Sequence, residues 1–137
     1  MAIIGFSLTK ILLERKEAPI KKVEVKSKLH IPSMEKQDMK LIEGKDTLRF
    51  NFEYDIEYAP KLANISFKGF VLFASDPKQS EEILREWNKN QRIDKDVQLQ
   101  LYNYIFNKCN IKALQLEDDF NLPPHLQLPT IKIEDKK

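Results

Sequence analysis

The sequence predicts an α+β fold, in which a four-stranded antiparallel sheet is followed by two helices packed on it and by a docked C-terminal tail. Apolar residues alternate with polar ones through the first half of the chain, which is the period of a strand. After Ser75-Asp76-Pro77 the apolar spacing becomes helical, and after Phe120 the chain becomes rich in proline. Strands that precede helices are typical of a sheet with its helices on one face.

Composition predicts a single soluble domain over residues 1–137. Hydrophobic residues make up 42% of the chain, and 23 basic residues nearly balance 21 acidic ones. That balance argues against nucleic acid as a partner, because phosphate binding needs a concentrated basic face. No apolar run approaches the ~20 residues of a spanning helix, so no membrane insertion is expected. The single cysteine, Cys109, cannot form an internal disulfide, and a cytoplasmic location is expected.

The strands are predicted over about residues 3–74, and the first two show different patterns. Ile3–Glu14 alternates at first, but Ile11 and Leu13 break the pattern, so its end can be apolar on both faces. Lys21–Ile31 alternates cleanly. Pro32 is predicted to end this second strand, because proline cannot donate to a ladder.

The next segment, Ser33–Lys45, is compatible with a short helical turn or with a loop packed on the sheet. The third strand, Leu48–Tyr58, has the strictest alternation, with one aromatic face and one charged face. Leu62–Ala74 is predicted as the fourth strand. Its second half is apolar on both sides, which indicates a central strand or one that is covered twice.

Two helices are predicted over about residues 77–115. Asp76 is expected to cap the first helix, with Pro77 at its first position and a buried stripe of Ile83, Leu84 and Trp87. The second helix is predicted from Asp94 to about Leu114. It carries two apolar stripes, which indicates cover on more than one side, and the expected second cover is another subunit.

The tail, residues 120–137, is predicted to be extended. Pro123 and Pro124 forbid a helix and favour a polyproline-like path. Further on, Ile131 and Ile133 alternate with Lys132, so this end can add to the sheet as a short strand or lie in a groove.

Catalytic and metal-binding motifs are missing from the sequence. It has no glycine-rich phosphate loop and no cysteine pair for a metal, so neither a cofactor nor a metal is expected. His30 and His125 are interpreted as ordinary surface residues, and Glu117-Asp118-Asp119 as a solvated loop. Cys109 falls in an apolar helical stripe and is interpreted as a buried, inert thiol. The chain is therefore expected not to be an enzyme.

Apolar and aromatic surface is what remains as a candidate for function. Exposing several such side chains needs a reason, because burying each one contributes roughly 1.5–3 kcal/mol. One set can face the helices and the other a sister subunit, or part of the set can line a groove for extended peptide. The candidate peptide-binding residues are Phe50, Phe52, Tyr54, Tyr58, Phe70 and Leu72.

The order of elements resembles that of the SecB family of export chaperones. Leu101-Tyr102-Asn103-Tyr104, then Cys109, and a tail running from Pro124 to Ile133 are similar to the family's helix and its Pro-x-Leu-x-Leu tail. The opening from Ile4 to Ile11 is similar to the start of small archaeal proteins described as SecB-like. The chain departs from the bacterial pattern at Ile105-Phe106-Asn107, where the bacterial helix carries an Arg-Glu pair.

The resemblance implies a SecB-like fold and an ATP-independent chaperone, a holdase, that binds unfolded or extended polypeptide without enzymatic activity. It also implies a homodimer or a homotetramer. It supports peptide holding better than it supports a role in protein transport. The alternative is an adaptor or structural protein that uses the same fold to bind one specific folded partner.

Overall fold

The structure, a computed structural model of the chain, describes residues 2–17, 22–38 and 41–126. Four strands are followed by two helices, and the strands form one antiparallel sheet in the order β1-β4-β3-β2. The predicted α+β architecture is confirmed. The bounds are β1 Ala2–Arg15, β2 Glu24–Gln37, β3 Asp46–Ala59, β4 Ala63–Ser75, α1 Pro77–Asn90 and α2 Lys95–Asp119.

The core lies between the sheet and the two helices. On β3, the apolar face predicted from alternation is buried along its whole length, and on β4 the same face carries Ile65, Phe67, Val71 and Phe73. We call this side of the sheet the helix face. The opposite side, the open face, carries the charged and polar residues of β3: Arg49, Asn51, Glu53, Asp55 and Glu57.

A bulge in β1 explains why its apolar pattern changes phase. The register with β4 shifts between Leu8 and Lys10, so one extra residue, Thr9, is inserted there. Because side chains alternate along a strand, the extra residue puts Ile11 and Leu13 on the helix face, the same face as Leu8. The irregularity in the sequence is therefore a change of phase at the bulge, and Leu13 packs against the core.

The second strand does not end at Pro32, and that prediction was wrong. β2 continues to Gln37, with a register shift between His30 and Ser33 that places Pro32 within a bulge. β2 is an edge strand, so the ladder with β3 tolerates a residue that has no N–H to donate. Residues 33–37, which were predicted to be part of a helical turn or a loop, therefore belong to strand β2. Met34 of this segment is buried opposite Phe50.

The first helix begins as predicted, with Asp76 at the N-cap position and Pro77 in the first turn. The Asp76 side chain makes no capping hydrogen bond. It pairs instead with the Lys45 ammonium group, which lowers the pKa of the Asp76 carboxyl. Ile83 and Trp87 are buried as expected, and Leu84 is half-buried against the core.

The second helix extends five residues beyond the predicted end. Asp94 caps its first turn by accepting a hydrogen bond from the backbone N–H of Asp96 at 3.2 Å, and the helix ends at Asp119. A four-residue step overshoots one helical turn by about 40°, so the buried stripe winds by about 200° over its length. The buried residues fall at every fourth position: Val97, Leu101, Ile105, Cys109, Ala113 and Glu117.

That winding requires different cover at the two ends of α2. The segment Leu122–His125 folds back onto the C-terminal half of the helix, where the backbone N–H of Leu122 donates to the Glu117 carbonyl at 2.8 Å. The chain itself thus provides part of the second cover that was expected from another subunit. Pro129, Ile131 and Ile133, on which the tail prediction also depended, lie outside the described residues. Within the described ranges, neither helix is long and apolar enough to cross a membrane.

Candidate functional site

A cleft of about 890 Å³ opens beside the edge strand β2, between that strand and the two helices. We call it the β2 groove. Its volume lies within the range of sites that bind small molecules or peptide segments. Its apolar lining comes from β2, α1, the linker between the helices and α2: Ile31, Ile83, Trp87, Ile93, Val97 and Tyr102.

The rim of the β2 groove is charged with both signs. Glu82 and Glu86 come from α1, Arg92 and Asp94 from the linker, and Lys95 from the first turn of α2. A rim of mixed sign does not select ligands of one charge. The β2 groove therefore has apolar side chains in its floor, of which Ile31, Ile83, Trp87 and Val97 are largely buried, and a polar border. Protein interfaces likewise combine an apolar centre with a polar rim.

The edge of β2 supplies a second kind of contact at this cleft. Among the strands of the described residues, only β3 pairs with β2, so the outer N–H and C=O groups of β2 lack a neighbouring strand. Such an edge is a template for an added strand. The bulge at Pro32 interrupts the edge at the point where His30 and Ile31 line the groove. A segment added here would pair on either side of that bulge.

A buried polar cluster lies next to the C-terminal half of α2, and we call it the tail anchor: Tyr54, Tyr58, Asn110, Glu117 and His125. The Glu117 and His125 side chains are each 1% exposed. The His125 Nδ1 lies 2.8 Å from Oε2 and 3.0 Å from Oε1 of Glu117, and its Nε2 lies 2.7 Å from the Asn110 Oδ1. The anchor thus attaches the start of the tail to the middle of α2.

Tyrosines of β3 complete the hydrogen bonding of the tail anchor. The Tyr58 hydroxyl lies 2.6 Å from both the Glu117 Oε2 and the Pro123 carbonyl, and the Tyr54 hydroxyl donates to the Asn110 Oδ1 at 2.9 Å. The backbone N–H of His125 donates to the Glu117 Oε1 at 3.2 Å. Burying a carboxylate is costly unless it is paired and hydrogen-bonded, and Glu117 meets both conditions.

The same surroundings keep both tyrosines of the anchor protonated. Burial raises the pKa of Tyr58, and the Glu117 carboxylate raises it further because it accepts the hydroxyl hydrogen and repels a phenolate. Burial is also the main reason that the pKa of Tyr54 is raised. The two hydroxyls therefore act as structural hydrogen-bond donors.

The sequence interpretation of His125 and Glu117 was wrong, because neither side chain is at the surface. His125 was missed because its spacing of eight positions from Glu117 matches no metal-binding or catalytic motif. The sequence did contain a signal that Glu117 is buried. Glu117 follows Cys109 and Ala113 at the same four-residue spacing as the rest of the apolar stripe. His30, by contrast, is exposed on the open face, 3.6 Å from the Glu53 carboxylate.

The six residues predicted to bind peptide lie on two different faces. Phe50, Phe52, Tyr54 and Tyr58 are at most 2% exposed and lie on the helix face, beneath the helices. A ligand could reach them only if the helices moved. Phe70 and Leu72 are half-buried on the open face. The peptide-binding role of all six stays a prediction.

The open face has only a small apolar area around those two residues. Leu72 lies opposite Gly5 of β1, and the Arg49 guanidinium lies 3.9 Å from the centre of the Phe70 ring. This cation–π contact covers part of the ring. Toward β2 the open face becomes charged, with Glu53, Asp55 and Glu57 of β3 on it. No group of three or more acidic, histidine or cysteine side chains in the described ranges is placed to hold a metal ion.

Cys109 is buried in the core, as predicted, and burial raises the pKa of its thiol from 9.0 to about 12. At pH 8 this lowers the thiolate fraction about a thousandfold, and the thiolate is the reactive form. We expect iodoacetamide to leave the folded protein unmodified over hours and to modify it stoichiometrically in denaturant, as measured by mass spectrometry. Rapid, complete alkylation without denaturant would contradict the burial of Cys109.

The fold is similar to that of a SecB-like chaperone, Rv1957 of Mycobacterium tuberculosis, whose structure was solved in complex with a ChAD peptide from the antitoxin HigA1. The TM-score is 0.56 at 17% sequence identity, over 98% of this chain and 92% of the mycobacterial one. At that identity the similarity establishes the fold alone. No protein-family model and no curated protein matches the sequence.

Proposed function

We propose that this protein is an ATP-independent chaperone, a holdase, that binds unfolded or extended polypeptide in the β2 groove. The observation that carries the proposal is the apolar cleft beside the edge of β2. The proposal includes no enzymatic activity and no cofactor, and it assumes a cytoplasmic location. The peptide held by the mycobacterial SecB-like chaperone supports it, because that protein has the same fold.

Two kinds of contact would hold the polypeptide. Backbone groups of the bound segment would pair with the edge of β2, and alternate side chains would point toward Trp87 and Tyr102. Each apolar side chain that is fully buried contributes roughly 1.5–3 kcal/mol. Ordering a flexible chain offsets much of that gain. The result would be loose, reversible binding with little dependence on sequence.

The open face is a second location for the same function. Phe70 and Leu72, which the sequence singled out, belong to it, whereas the other four predicted residues would contribute only if the helices moved away from the sheet. We give the β2 groove precedence because it combines concavity with a strand edge.

Self-association into a homodimer or a homotetramer is part of the proposal. Leu99 and Ile111 on α2 are large apolar side chains that are 60% and 61% exposed. Packing against a second copy would bury them. Such assembly would place grooves of several copies within reach of one long unfolded chain and raise its avidity.

Light scattering from an unfolding model protein tests the proposal, with no nucleotide present. We expect the protein to suppress scattering near equal subunit concentration. Trp87 is the single tryptophan and lines the groove, so its fluorescence reports directly on occupancy by an added unfolded peptide. If the wild-type protein neither suppresses scattering nor binds peptide while it stays folded, the proposal is wrong.

A pair of variants locates the binding surface. Tyr102→Glu places a charge in the β2 groove, and Phe70→Glu makes the matching change on the open face, where the aromatic ring is also half-buried. We expect Tyr102→Glu to weaken peptide binding about tenfold or more, which is the loss of roughly one buried contact. Phe70→Glu is expected to leave it within about twofold. The opposite pattern would move the site to the open face.

An adaptor that binds one specific partner is the alternative function. It is favoured by the fact that the mycobacterial neighbour was captured with a peptide from one particular antitoxin. Affinities for a panel of unrelated unfolded peptides separate the two functions. Similar affinities across the panel support a holdase, whereas no binding to the panel together with tight capture of one protein supports the adaptor.

A further inference from the structure

We propose that the chain carries its own competitor for the β2 groove, namely the segment Gln127–Ile133 that follows the tail anchor. This inference builds on the proposed function, in which the groove accepts extended polypeptide. In the absence of a bound chain the segment would occupy the groove, and a polypeptide would have to displace it. The tail would thus set a threshold for binding.

The described part of the tail already runs toward the groove. Leu122 is attached beside Glu117, at the end of α2. Three residues later, the His125 ring reaches Asn110, which is seven positions back along the helix. The chain is therefore antiparallel to α2 at this point and is directed toward the N-terminal half of that helix, where Val97 and Tyr102 line the groove.

The remaining distance is short enough for this segment. From Asn110 to Tyr102 the helix rises about 12 Å, at 1.5 Å per residue. Seven extended residues span about 22 Å at 3.1 Å each. An aromatic row lines the way, because the Phe106 ring centre lies 5.5 Å from that of Tyr54 and 6.2 Å from that of Tyr102.

The sequence of the segment has the chemistry that the groove accepts. Leu128, Ile131 and Ile133 are apolar, and Ile131 and Ile133 alternate around Lys132, the pattern of a strand added to an edge. Lys132 is also complementary to the acidic rim that α1 contributes, Glu82 and Glu86. Other chains can offer these features, but only this segment is attached beside the groove.

The tail anchor gives the segment its advantage over free chains. The hydrogen bonds between His125 and the Glu117 carboxylate fix the point where the segment begins. A short tether to a fixed point produces an effective concentration in the millimolar range. A free polypeptide at micromolar concentration therefore competes at a disadvantage, and we expect its apparent affinity to be reduced about tenfold or more.

The double variant Ile131→Asp/Ile133→Asp tests the proposal in the full-length protein. Without any added peptide, we expect the Trp87 emission of this variant to shift to longer wavelength, because the segment leaves the groove. With an added unfolded peptide, we expect at least tenfold tighter binding than in the wild type. The matched control is Gln127→Asp/Thr130→Asp, which adds the same charge at polar positions and is expected to behave like the wild type.

Three outcomes would overturn the proposal. The first is Trp87 emission that is identical in the wild type and the double variant. The second is an emission difference that depends on protein concentration, which would place the segment of a second copy in the groove. The third is peptide affinity that is equal in the wild type and the double variant. Failure of the holdase proposal gives a different result from failure of this one. If the protein is not a holdase, no added peptide binds to the wild type or to the double variant, but the two proteins still differ in Trp87 emission without peptide.

Discussion

Replacing Glu117 with alanine is expected to destabilise the fold by about 3–5 kcal/mol, because several buried hydrogen-bond donors lose the carboxylate that accepts from them, at about 1–3 kcal/mol each. The change leaves the His125 ring without its carboxylate, in a site where the side chain is 1% exposed. It also removes an acceptor of the Tyr58 hydroxyl and of the His125 backbone N–H. Equilibrium unfolding in urea, followed by Trp87 fluorescence, measures the loss.

Two control variants separate the contact between Glu117 and His125 from its neighbours. Tyr58→Phe deletes one hydroxyl and keeps the pair, so it is expected to cost about 1–2 kcal/mol. Asp119→Ala removes an exposed carboxylate from the same acidic run and is expected to change stability by less than about 0.5 kcal/mol. A Glu117→Ala variant as stable as Asp119→Ala would contradict the role of the tail anchor.

Replacing Gly69 with alanine is expected to destabilise the fold by about 3 kcal/mol or more, through overpacking against backbone atoms. A Cβ at Gly69 would lie 2.2 Å from the Ser7 carbonyl oxygen and 3.1 Å from the Leu8 Cα, both on the neighbouring strand β1. The third neighbour is the Phe52 Cζ at 3.0 Å. Since backbone atoms cannot rotate away, the β1–β4 ladder has to shift. Urea unfolding gives the size of the effect.

Gly5→Ala is the matched control for that prediction. A Cβ at Gly5 would meet only the Leu72 side chain, with its nearest atom, Cδ1, at 3.2 Å. That end of the side chain lies on the half-buried open face and can adjust by a few tenths of an ångström. We expect a loss below about 1 kcal/mol. Equal losses for the two alanine variants would contradict the close approach of β1 to Gly69.

The tail anchor and the β2 groove are parts of one arrangement along α2. The helix is buried by a stripe that winds around it, so its N-terminal half contributes Val97 to the groove and its C-terminal half presents Glu117 to the tail. Glu117→Ala is therefore expected to weaken any competition by the tail as well as the stability of the fold. Stability and peptide affinity can be compared in the same set of variants.

Periodicity was sufficient to predict most of the fold. The alternation from Leu48 to Tyr58 can be satisfied only by a strand with one buried face, and Asp76-Pro77 marks a helix start through backbone preferences alone. These are local properties of the chain, so they can be recognised without knowing which other segments each element contacts. The packing of both helices on one face then follows from the need to cover the apolar side. That need does not determine the strand order β1-β4-β3-β2, in which β1 pairs with β4 and not with β2, and the sequence pattern favoured a meander of consecutive strands instead.

The candidate site could not be predicted in the same way. The groove forms where the β2 edge, α1 and the first turns of α2 come together. The sequences of these separate segments do not indicate that they will be in contact. The six residues selected from the sequence were chosen for their apolar character, which is shared by core and binding surfaces. Only the packing of the helices on one face of the sheet distinguishes Phe50, with no exposure, from the half-buried Phe70.

By itself, the sequence determined the α+β class, the aromatic core strand, the start of each helix and the burial of Cys109, because each depends on residues close together in the chain. Tertiary structure alone decided the change of phase at Thr9, the passage of β2 through Pro32 and the burial of His125 beside Glu117. These features depend on partners from distant segments. A bulge, a sheet edge or a buried hydrogen bond between two side chains exists only once two such segments are in contact.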